Sequence, residues 1–88
     1  MKPIIRDKQF VKSYKSRVAP NKRLAARFDE RLKLFASGQR GTPLNDHGLK
    51  GKKLGLRAFS IAGDARVVYY ETKSEIILLD VGTHNQVY

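Results

Sequence analysis

The stretch Leu56–Val81, LRAFSIAGDARVVYYETKSEIILLDV, decides the fold. It contains three strand-like runs, LRAFSIA (56–62), ARVVYYE (65–71) and EIILLDV (75–81), separated by short polar breaks. Gly63-Asp64 joins the first two, with glycine at the first central position, as a type II′ hairpin turn prefers. Thr72-Lys73-Ser74 joins the second to the third. With Gly63 and Asp64 as the loop, Ala62 is expected to pair with Ala65 and Ile61 with Arg66. Side-chain alternation then puts Arg57, Phe59, Ile61, Arg66, Val68 and Tyr70 on one face. Leu56, Ala58, Ser60, Val67 and Tyr69 take the other. Both strand arginines are thereby expected to emerge from the same face.

Upstream, KPIIR (2–6) reads as a short strand that tolerates Pro3 near its start or on an edge. Asp7 is placed to cap a helix over about residues 8–16, with Phe10, Val11 and Tyr14 on one side. VAPNK (18–22) breaks it. A second helix, over about residues 21–37, carries Leu24, Phe28, Leu32 and Phe35 on a core stripe, and Gly38 follows as a stop. Two helices with so short a break form an antiparallel hairpin. The order β-α-α-β-β-β predicts an α+β fold, a helical hairpin on one face of a mainly antiparallel four-stranded sheet. Between helix and sheet lies GQRGTPLNDHGLKGKKL (38–54), a loop long enough to be either functional or disordered.

Eighty-eight residues make one domain, 1–88, and a hydrophobic fraction of 41% supports a packed core. The absence of cysteine excludes a disulfide framework, thiolate catalysis and a cysteine zinc site. No apolar run approaches a membrane span, so a cytoplasmic protein without a membrane role is expected. Eighteen Lys and Arg against eight acids give a net charge of +10. Such an excess in a short chain points to a polyanionic partner, most often nucleic acid. An anionic membrane surface or an acidic protein satisfies the same electrostatics.

The only groups that titrate near neutrality in their ordinary state are His47 and His84. No helical pair of metal ligands, P-loop or nucleophile elbow occurs, and neither metal nor organic cofactor is expected. The chain does combine His47 and His84 with Arg57 and Arg66, Lys50, Lys52 and Lys53, and an aromatic Tyr88. RNA cleavage by transesterification uses such a set. A base takes the 2′-OH proton, an acid protonates the leaving 5′-oxygen, and cations stabilise the phosphorane. An aromatic ring can hold a splayed base.

LNDHGLKG (44–51), GDARVVY (63–69) and GTHNQVY (82–88), in this order, resemble the RelE/ParE superfamily of toxins from toxin–antitoxin pairs, and within it the YafQ-like branch. The resemblance implies a RelE-like fold, cleavage of mRNA in the ribosomal A site, and an acidic antitoxin as protein partner. By position, His47 and His84 match catalytic histidines of the family, and Arg66 matches the arginine that contacts the scissile phosphate. Asp64 matches a turn aspartate and Tyr88 a near-terminal aromatic. Arg57 falls where RelE-type toxins place an active-site lysine. Ala58, Ser60 and Ala65 depart from the family pattern, where an aspartate, a histidine and a tryptophan stand.

The resemblance also implies that the tail is ordered: the third strand of the run is expected to end at Gly82 and deliver His84 and Tyr88 to the cationic face. A tyrosine there could equally serve as an apolar lid on the sheet. ParE-type toxins share the fold but poison DNA gyrase by binding it, which needs no histidine pair. A basic RNA-binding protein without catalysis would account for the charge but not for GTHNQVY.

Overall fold

In the computed structural model, which describes residues 2–88, Gly63 and Asp64 form the expected turn and Ala62 pairs with Ala65. One step further the register departs from the ideal hairpin. Ser60, not Ile61, lies opposite Arg66, so Ile61 is the extra residue of a β-bulge. Alternation within each strand holds, but the two strands combine differently. Phe59, Ile61, Val67 and Tyr69 are buried together, whereas Ala58 and Val68 belong to a second cluster. Arg57 pairs with Tyr69 and Arg66 with Ser60, which corrects the expectation that the two arginines share a face.

The elements run β1 (Ile4–Arg6), α1 (Lys8–Arg17), α2 (Lys22–Ala36), β2 (His47–Gly48), a 3-10 turn (Gly51–Lys53), β3 (Arg57–Ala62), β4 (Ala65–Glu71), β5 (Ile76–Thr83) and α3 (His84–Val87). The sheet order is β1-β5-β4-β3-β2, with β1 parallel to β5 and the other pairs antiparallel. The architecture is the expected α+β fold, but with five strands instead of four. The additional strand is β2, inside the long loop, where His47 pairs with Ala58 and Gly48 with Arg57.

Both helices start on side-chain caps. Asp7 accepts from the Gln9 N–H at 3.1 Å and Asn21 from the Leu24 N–H at 3.0 Å. Helix α2 ends as Gly38 predicts. Gly38 takes a left-handed φ of 100°, its N–H donates to Phe35 O, and the Gln39 N–H donates to Leu34 O. Helix α1 packs against β5 and α2 against β3. Phe10, Phe28, Phe35, Phe59 and Tyr69 fill the space between, and Phe35 stacks on Phe59 with centroids 4.4 Å apart. Val11, expected on the buried side of α1, is exposed, and Ser13 is buried instead.

The 38–54 loop is ordered by its own contacts. Leu44 is fully buried, and its carbonyl accepts the Ser60 N–H at 2.7 Å. The tail is also ordered, but not as the end of a strand. β5 continues to Thr83, and the chain turns there into α3 through a capping box, with the Thr83 N–H donating to Gln86 Oε1 at 2.8 Å. Val87 packs beneath that turn on Ala58 and Val68, with Leu49 and Leu56 around them. The sheet face away from α1 and α2 is therefore part-covered by the C-terminal turn.

Candidate active site

A cleft of about 690 Å³ opens on that face, lined by His47, Gly48, Leu49, Lys50, Lys52, Lys53 and Tyr88. The pairing of His47 with Ala58 puts its side chain on the Ala58–Val68 side of the sheet. The ring is exposed, and its Nδ1 lies 3.0 Å from the Asn45 carbonyl oxygen. A carbonyl only accepts, so Nδ1 carries the proton and donates it. In the neutral ring Nε2 then keeps the lone pair, free to accept.

The lysines come from the segment after β2. Leu54 N–H donates to Gly51 O at 3.1 Å and Leu56 N–H to Lys53 O at 3.0 Å, and these bonds shape the turn. Gly51 has a φ of 65°, which glycine adopts without a Cβ penalty. The turn sets Lys50, Lys52 and Lys53 around the cleft mouth.

Across the cleft, α3 and the β3–β4 turn hold the remaining residues. The His84 N–H donates to Asp64 Oδ2 at 3.2 Å. The His84 ring meets Tyr88 edge to face with centroids 4.5 Å apart, and the Tyr88 N–H donates to His84 O at 3.0 Å. Arg66 lies under the other part of this group, its guanidinium carbon 5.4 Å from the Tyr88 ring centroid. Arg66 Nη2 donates to Asp64 Oδ1 at 3.3 Å, and Nε to the Asp64 carbonyl at 3.3 Å. Asp64 thus ties the C-terminal turn to β4, binding α3 through one carboxylate oxygen and Arg66 through the other.

Arg57 is not part of this constellation. It lies on the helix-side face, where Nη2 is 2.6 Å from Asp46 Oδ1 and Nε donates to the same oxygen at 2.8 Å. The Asp46 side chain is 0% exposed; it also accepts the Tyr69 hydroxyl and lies 3.8 Å from Arg40 Nε. Burial, and then the bond to Asp46, push the Tyr69 phenol well above its ordinary value. The Asp46 bond raises the Arg57 pKa further. Asp46 was not singled out in the sequence. It stands in the LNDHGLKG motif beside His47, and in a strand that neighbourhood sends the two side chains to opposite faces.

Ala58 is buried under Val87, Ala65 belongs to the main core, and Ser60 is half-buried opposite Arg66. Among the described residues, no three His, Asp or Glu side chains converge into a metal cage. No helix among them is long and apolar enough to cross a membrane.

The fold recurs in solved toxins. The E. coli DinJ–YafQ complex contains a chain that superposes with a TM-score of 0.82 at 21% identity, over 100% of this chain and 99% of that one. A metal-bound toxin from Helicobacter pylori gives 0.79 at 26% identity, over 100% of both chains. The YoeB dimer from Staphylococcus aureus gives 0.73 at 21%, over 94% of this chain and 97% of that one. No curated protein sequence matches significantly. The sequence profile described as "Bacterial toxin of type II toxin-antitoxin system, YafQ" matches residues 2–88. The chain therefore belongs to the YafQ family of bacterial toxins of type II toxin–antitoxin systems.

Proposed function

We propose that this toxin is an endoribonuclease that cleaves mRNA, bound in the ribosomal A site, by transesterification on protein groups alone. The observation that carries the reading is the shared cleft. His47, three lysines and Tyr88 line it, and Tyr88 is in contact with both His84 and Arg66. His47, with Nε2 free, acts as base and removes the 2′-OH proton. The 2′-oxygen attacks phosphorus, and Arg66 faces the charge that builds on the phosphorane oxygens. His84 in its protonated form delivers a proton to the departing 5′-oxygen. The products are a 2′,3′-cyclic phosphate and a 5′-hydroxyl.

In this scheme Lys50, Lys52 and Lys53 hold the flanking phosphates, and Tyr88 stacks on a base or braces Arg66. Asp64 orients Arg66 and α3 and exchanges no proton. Arg57 acts through Asp46 and makes no contact with RNA. The protein partner is an acidic antitoxin whose charge complements the surplus of +10.

The test is end-group mapping of mRNA after brief exposure to the protein, on and off ribosomes. Cuts inside reading frames with 5′-hydroxyl ends are expected. Intact mRNA together with stalled gyrase would replace this reading with gyrase poisoning.

A further inference from the structure

We infer that Asp46 is a positioning residue: its buried carboxylate clamps the two-residue strand β2 so that the His47 ring is held in the Nδ1–H tautomer with Nε2 facing the cleft. The inference rests on the nuclease reading for its kinetic consequence, though not for its structural one.

Strand β2 has two residues and, among the described residues, only β3 as neighbour, so its own ladder fixes His47 weakly. The restraint comes from the residue before it. Asp46 lies on the helix-side face, opposite the cleft, and its carboxylate meets Arg57 from β3, Tyr69 from β4 and Arg40 from the segment after α2. Its backbone N–H donates to Arg40 O at 2.9 Å. One residue is thus tied to three parts of the fold.

Asp46 also separates the two partners of the bond that sets the ring. The carbonyl of Asn45 receives the His47 Nδ1–H, and Asn45 adopts a φ of 49°, a left-handed conformation that asparagine tolerates better than most residues. The Asn45 carbonyl and the His47 ring keep their relation only if the peptide units on either side of Asp46 stay in place. The lysine turn has its own hydrogen bonds and does not depend on the clamp.

The decisive variant is Asp46→Asn, which keeps the volume and removes the charge. Long-range proton–nitrogen NMR of the His47 ring reads its tautomer directly, with no RNA present. Wild type is expected to show Nδ1–H. In Asp46→Asn the ring should drift toward Nε2–H, the form that predominates in free histidine. Cleavage of ribosome-bound mRNA should lose about 10- to 100-fold in kcat with little change in KM, the scale of a small misplacement of a reacting group. Tyr69→Phe keeps the aromatic core and the Asp46–Arg57 pair, and should shift the tautomer in the same direction by less. It carries the test should Asp46→Asn fail to fold.

An unshifted His47 tautomer in a folded variant overturns the clamp. So does a loss confined to KM. A wild-type protein that cleaves no RNA would overturn the nuclease reading, and the tautomer measurement would still decide the clamp.

Discussion

Arg66 sits beneath Tyr88, guanidinium carbon 5.4 Å from the ring centroid, and that contact ties the last residue to the middle of the sheet. An exposed cation–π contact contributes only about 0.5–1 kcal/mol, so its weight is in placement rather than stability. Tyr88→Phe retains the ring and should cleave at close to the wild-type rate. Tyr88→Ala should slow cleavage tenfold or more, by order of magnitude, while shifting stability by less than about 1 kcal/mol. Single-turnover cleavage and denaturant unfolding measure the two effects. A large loss in Tyr88→Phe would assign a role to the hydroxyl instead of the ring.

The histidine pair makes the second prediction. A base that works neutral and an acid that works protonated give a bell-shaped rate profile. His47→Ala and His84→Ala should each lower the rate by about 10²–10⁴ and each abolish a different limb of the bell. Both side chains are exposed, so each change should cost under about 1–2 kcal/mol of stability. Full activity in His84→Ala would remove it from the chemistry.

How far the sequence discloses this site depends on the length of each element. The helical hairpin and the three long strands carry repeated apolar spacing, and they fold where that spacing puts them. Two short elements beyond the long strands, β2 and α3, are below the length at which periodicity speaks. For α3 a signal did exist: Thr83 and Gln86 stand three apart, the pattern of a capping box. The bulge at Ile61 left no trace, because a buried isoleucine satisfies a regular strand equally well. Its consequence was large, since a one-residue slip carries a side chain across the sheet. That slip moved Arg66 to the face opposite Arg57, which alternation with Phe59 and Ile61 keeps beside Asp46 on the helix side, so residues aligned with the family's site by position alone do not all face the cleft. The partners of Asp46, Arg57, Tyr69 and Arg40, could be recognised only once the pairing was known.

Gly82 supplies the third prediction. A Cβ there would lie 2.6 Å from Gln86 Oε1 and 3.1 Å from Arg17 Cδ. Gln86 closes the capping box, so it cannot withdraw without releasing the Thr83 N–H. Gly82→Ala should cost about 1–3 kcal/mol by overpacking and the lost cap, and should displace the turn that carries His84 and Tyr88. Gln86→Ala removes the cap alone and should cost about 1 kcal/mol. Equal thermal midpoints for Gly82→Ala and wild type would show that the turn is not held this way.

Alkaline pH tests the clamp from the stability side. The Tyr69 phenol is raised above its ordinary 10.0 by burial and by Asp46. A raised folded pKa means stability that is fully present below the unfolded value and lost as pH climbs from there toward the folded one. The urea midpoint of wild type should therefore fall above about pH 10, the unfolded phenol value. Tyr69→Phe should start lower but decline less steeply over the same range. Parallel declines in the two proteins would place the alkaline loss elsewhere.

Salt dependence separates the lysine turn from Arg57. Each phosphate contact of single-stranded RNA releases counterions worth about 0.7 in the slope of log affinity against log salt. Lys50, Lys52 and Lys53 line the cleft, so replacing all three with alanine should flatten the slope by about 2. Arg57 faces away, its guanidinium held by a carboxylate that is 0% exposed. Arg57→Ala should leave the slope unchanged while destabilising the fold by about 1–3 kcal/mol, because Asp46 stays buried with fewer partners. Part-exposure of the guanidinium keeps that cost below the value for a fully buried pair. Binding of a short RNA to a cleavage-deficient His47→Ala background, titrated from 50 to 200 mM salt, reads the slope without turnover. A flattened slope in Arg57→Ala would put RNA on the helix-side face and not in the cleft.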